Sequence, residues 1–132
     1  MQRARTTTFL PLTVDAATRA RAAQFLCKTI ETDTAAAQCW TALPADSRSS
    51  GRWGLGPRLR QLSEATSEHV GTRWWSTDGS CHRSRIARAQ SDIEDAIADG
   101  DGKEFARAFV GYDHAMASAV VCAATRVETS TP

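Results

Sequence analysis

No stretch of these 132 residues approaches the roughly eighteen consecutive apolar residues of a membrane span, so no membrane-crossing helix is expected within them. Aromatic residues are scarce, at 7%, so the core must come from aliphatic side chains and alanine, a composition suited to closely packed helices. Close cysteine pairs are missing. Cys27, Cys39, Cys81 and Cys122 are too widely spaced for a recognisable disulfide framework or zinc knuckle, and reduced, mostly buried thiols are the expectation. There is no His-Glu-x-x-His, no Glu-x-x-His and no glycine-rich nucleotide loop. Near the N-terminus Arg3 and Arg5 precede Phe9, Leu10, Leu12 and Val14, but Pro11 and Asp15 cut that run too short for a secretory signal. A cytoplasmic protein is therefore expected.

What the chain has is arginine, unevenly placed. Fourteen of its sixteen cations are Arg; residues 1–90 carry 13 Lys or Arg against 7 acids, and residues 91–132 carry 3 against 8. A net charge of +1 thus conceals a basic front and an acidic tail. The basic region Arg48 to Arg88 also holds Trp53, Trp74 and Trp75. Arg with Trp is the composition of a contact surface, because guanidinium pairs bidentately with carboxylate and phosphate while indole supplies buried area. The Arg-over-Lys bias also resembles the coding style of GC-rich bacteria, their plasmids and phages, among which small helical regulators and inhibitors are common. No family resemblance is carried by any motif.

Periodicity is helical almost throughout, and the expected fold is an all-α, single-domain bundle of about five helices: an extended N-terminal arm over 1–14, a helical domain over 15–128 and a disordered tail over 129–132. Pro11 limits the segment TTTFLPL to an arm or an edge strand. Thr13 or Asp15 is expected to cap a helix over 15–32, and Thr34 a second over 35–43, with Pro44 beyond it. A loop over 45–56 follows, with Trp53 between glycines. Pro57 then opens a third helix over 57–75. Ser80 caps a fourth over 81–98, whose Ile86, Ala89, Ile93, Ala96 and Ile97 form one apolar stripe, and a fifth over 103–127 carries Phe105, Phe109, Tyr112, Met116, Ala119, Val120 and Ala123. Val110, Val121 and Cys122 spread its apolar surface further round, as in a central helix.

The fourth helix is electrostatically inverted. Arg83, Arg85 and Arg88 occupy its first half and Asp92, Glu94, Asp95 and Asp99 its second, against the macrodipole at both ends, so external partners or neighbouring helices are needed to offset it.

Other motifs fail on their spacing. Leu62 to Trp75 resembles a helix-turn-helix reader at its two ends. In that register, however, Glu68 falls on an apolar position and Arg73 on a buried one, where an ion is costly. The DGDG run of Asp99 to Gly102 resembles the start of a calcium loop but lacks the spaced oxygen ligands and closing Glu. His69, His114 and the Cys81–His82 pair are the residues available to a small enzyme or metal site, and none has a neighbour in sequence at convergent spacing.

The expected function is a non-enzymatic interaction or regulatory module, an adaptor or inhibitor, with no cofactor and no bound metal. It would bind a protein partner through Arg52, Trp53, Arg58, Arg60, Arg73, Trp74, Trp75, Arg83, Arg85 and Arg88. The alternative is nucleic-acid binding by the same region, with Arg neutralising phosphates and Trp stacking on bases; the acidic tail counts against it. A basic and an acidic half on one body also favour antiparallel or head-to-tail pairing, which makes a homo-oligomer a further partner class.

Overall fold

A computed structural model of the chain describes residues 9–43 and 52–130. Among them are six helices: α1 (Pro11–Arg19), α2 (Ala23–Ala42), α3 (Arg52–Val70), α4 (Thr72–Ser76), α5 (Ser80–Asp99) and α6 (Gly102–Ser130). The fold is an all-α, single-domain bundle with six helices in place of the expected five. The side chain of Trp53 and residues 131–132 of the expected 129–132 tail lie outside what is described, while 129–130 end α6.

The two helices expected over 15–32 and 35–43 are instead divided at residues 20–22 and continuous at 33–34. Nothing breaks the helix at Thr34, which is followed by three alanines of high helical propensity. The hydroxyls of Thr29 and Thr32 donate at 2.8 Å to the carbonyls of Phe25 and Lys28 one turn back, so these buried side chains are satisfied within the helix. The real break is at Arg21, whose φ of 55° is left-handed. Ala22 N–H donates to Ala17 C=O and Arg21 N–H to Thr18 C=O, a Schellman closure in which Arg stands where glycine is usual.

This break folds α1 back between α2 and α6, its two main neighbours. Pro11 opens α1 and is not part of a strand. Its missing N–H costs nothing at a helix start. Neither Thr13 nor Asp15 caps the helix; two carboxylates distant in sequence do. Asp33 Oδ1 accepts from Phe9 N (2.7 Å) and Leu10 N (2.9 Å). Asp113 accepts from Leu12 N, Thr13 N and the Thr13 hydroxyl at 3.0, 2.8 and 2.6 Å. Both acids are buried. Residues placed in an arm by their sequence are thereby built into the core, with Phe9 packing edge-on against Phe105 and Phe109 at 5.6 and 5.3 Å.

α3 starts within the expected loop, so Pro57 lies inside the helix and not at its opening. The expected helix over 57–75 is also divided, because Gly71 takes φ 100° between α3 and α4. α5 and α6 match expectation closely. The α5 stripe of Ile86, Ala89, Ile93, Ala96 and Ile97 is buried against α6, while Gly79, and not Ser80, is its N-cap. At its C-terminus Gly100 is left-handed (φ 66°) and Asp101 N–H reaches Ala96 C=O, so half of the DGDG run closes α5. Asp101 also accepts from Glu104 N at 3.1 Å, starting α6. The seven apolar residues expected on one side of α6 are all buried. Val110, Val121 and Cys122 are exposed, however, so α6 keeps an outer face.

Candidate functional site

The arginines of the expected contact surface fall on three helices: Arg58 and Arg60 on α3, Arg73 on α4, and Arg83, Arg85 and Arg88 on α5, all exposed. The side chains of Arg48, Arg52 and Trp53 lie outside the described residues. The structure does not gather the remaining residues into one patch.

Trp74, Trp75 and Arg83 meet at the corner between α4 and α5. Trp74 is half-buried and stacks on His82, ring centres 5.9 Å apart. Trp75 packs partly against the core, and Arg83 Nε donates to its carbonyl at 2.7 Å. A Cβ on Gly79 would stand 2.6 Å from the Trp74 ring, so glycine here is required by space. Burial, and secondarily the charge of Arg85, holds the His82 imidazole below its ordinary pKa. Trp74 Nε1 and His82 Nδ1 are both buried without a hydrogen-bond partner among the described residues.

Arg85 and Arg88 belong to a different surface. With Asp92 on α5 and Val110, Gly111 and His114 on α6 they line a shallow groove of about 410 Å³. Neither guanidinium takes part in an ion pair among the described residues, whose three ion pairs all lie on other helices. Among the described residues, no neighbouring helix supplies an ion pair to Arg85 or Arg88 of the inverted α5.

Val110 and His114 also line the neighbouring groove, a space of about 400 Å³ bounded as well by Leu12, Trp40, Phe9 and Phe109. Leu12, Trp40 and Val110 are 47%, 46% and 70% exposed, three of the five large apolar side chains left in solvent among the described residues. Trp40 is fixed there by its indole N–H, which donates to Gly102 C=O at 3.0 Å. A third groove, about 540 Å³, continues past His114 and Leu12 to Val121 and Cys122. His114 borders all three.

Compared with known protein families, curated proteins and solved structures, the chain matches none. The site therefore rests on its geometry. Sequence reading missed Leu12, Trp40 and their groove. The signal was slight, since Leu12 and Val110, distant in sequence, are brought together only by the packing of α1 on α6, which the Asp113 clamp helps to fix.

The candidate chemical residues are dispersed. His69 stacks on Phe25 at 5.6 Å; Cys81 is exposed beside His82; His114 stands on the ridge between the grooves. Among the described residues no three His, Cys, Asp or Glu side chains converge to hold a metal ion. The thiols correct an expectation. Cys39 alone is buried, while Cys27, Cys81 and Cys122 are exposed, and no disulfide joins them. Small apolar character does not bury a residue whose helix position faces outward.

Proposed function

We propose that the protein is a non-enzymatic interaction module that binds a protein segment carrying apolar side chains flanked by carboxylates. One observation carries this reading: the exposed Leu12, Trp40 and Val110 converge on a single groove, and Val110 is shared with the groove bearing the exposed Arg85 and Arg88. Apolar surface gathered in one place favours an amphipathic partner, and the guanidiniums select acidic flanks by charge-assisted pairing.

Nucleic acid suits the same surface less well. Past Arg85 and Arg88, a phosphate backbone following α5 meets Asp92, Asp95 and Asp99. α4, at five residues, is also too short to act as the recognition helix of a helix-turn-helix.

The test is titration of the labelled protein with acidic amphipathic helical peptides and, separately, with mixed oligonucleotides. Peptide binding is expected, weakened by Val110→Asp through lost apolar contact and by Arg85→Glu/Arg88→Glu through charge. Salt-dependent oligonucleotide binding with no peptide binding would overturn the proposal.

A further inference from the structure

The outward stripe of α5 is complementary to itself. Cys81, Arg85, Arg88, Asp92, Asp95 and Asp99 recur at spacings of four, three, four, three and four residues, which places them along one face of the helix, and every one is exposed. None of Arg85, Arg88, Asp92, Asp95 and Asp99 is engaged in an ion pair among the described residues. Arg88 and Asp92 stand one turn apart without closing a bridge, in the order less favourable for an i,i+4 pair.

From this arrangement we infer that the carboxylates facing Arg85 and Arg88 belong to a second copy of this chain, whose α5 lies antiparallel on the first. This rests on the reading that the two guanidiniums engage protein carboxylates, and it names their source. A two-fold axis midway between Arg88 and Asp92 sets Arg88 opposite Asp92 of the second copy and Arg85 opposite its Asp95. By symmetry each pair occurs twice, as a closed isologous interface requires. The uncharged Cys81 falls opposite Asp99, so the register brings no like charges together.

The pairing also accounts for the inversion of α5 against its own macrodipole. In an antiparallel pair the N-terminal half of one helix lies beside the C-terminal half of the other. Arg85 and Arg88, misplaced on their own helix, therefore lie next to the negative end of the partner, and Asp92 and Asp95 next to its positive end. A shifted register loses this match. Because the stripe carries two cations followed by three anions, parallel alignment of two copies opposes like charges along its length.

The experiment is sedimentation velocity of the full chain at about 50 mM salt, where screening is weak, with circular dichroism and melting curves to verify folding of each variant. Wild type is expected to dimerise. R85D/R88D, whose charged stripe residues are all acidic, and D92R/D95R, whose stripe is basic from 85 to 95 with only Asp99 acidic, are each expected to raise the dissociation constant by at least about tenfold. Their equimolar mixture is expected to form a heterodimer, and the fourfold swap R85D/R88D/D92R/D95R to dimerise again. A monomeric wild type, or a dimer unmoved by either reversal, overturns the inference. A monomer that still binds the acidic amphipathic peptide overturns self-pairing while leaving the groove reading intact; a reversal-sensitive dimer that binds no peptide supports self-pairing and removes the groove reading.

Discussion

Asp113 is the residue on which the binding face most depends. Its carboxylate takes two backbone N–H groups and a hydroxyl from the first turn of α1, so Asp113→Ala removes the acceptor of both N–H groups and leaves the Thr13 hydroxyl only the longer bond to the residue 113 carbonyl, at 3.3 Å. The expected loss is about 3 kcal/mol in chemical denaturation, with exposure of Phe9 and weaker groove binding. Arg21 predicts the opposite sign. Its left-handed backbone is costly for any side chain, and Arg21→Gly should stabilise the protein by about 1 kcal/mol, seen as a rise in melting temperature with unchanged circular dichroism. Tyr112 is fully buried and burial pushes its phenol well above the ordinary range, with Ser63 offsetting part of that effect. Its hydroxyl nonetheless has no well-placed hydrogen-bond partner among the described residues. These single positions were not legible in the sequence. An Arg in left-handed conformation carries no signature, and a carboxylate that caps a helix some hundred residues away is a product of the fold.

Whole elements were more legible where one period dominates. The stripes of α5 and α6 were readable because burial against each other selects every third or fourth residue over several turns. Reading failed where that pattern is interrupted without punctuation, as at Ala20–Ala22, or punctuated without interruption, as at Pro57. The α4–α5 corner depends on Gly79 for space. Gly79→Ala should cost roughly 1–3 kcal/mol by driving the Trp74 ring off His82, with a shift in tryptophan emission as the check. The same corner confers pH dependence. Because the His82 pKa lies below its ordinary value of 6.5 in the fold, the folded state binds fewer protons than the unfolded one. The stability contributed by neutral His82 is complete above that ordinary value and is lost as pH falls below it. Melting curves across the acid range, compared with His82→Phe, should show this dependence diminished in the variant.

For the molecule as a whole, the sorting of charge first seen as composition resolves into a surface. The basic front is divided by the fold into a structural part, Arg83 at the Trp75 carbonyl, and an exposed part, Arg85 and Arg88 beside His114 and Val110. The apolar groove next to it was hidden from the sequence because its walls come from α1, α2 and α6. The central claim is that this joint surface recognises protein. The most direct measurement is a tagged pull-down from the native cell, comparing wild type with a variant carrying Val110→Asp, Arg85→Glu and Arg88→Glu, read by mass spectrometry and by the ratio of absorbance at 260 and 280 nm. The expected result is a protein-like ratio, with a defined partner retained by wild type and lost from the variant. Recovery of nucleic acid, or the same proteins from both baits, would contradict the account.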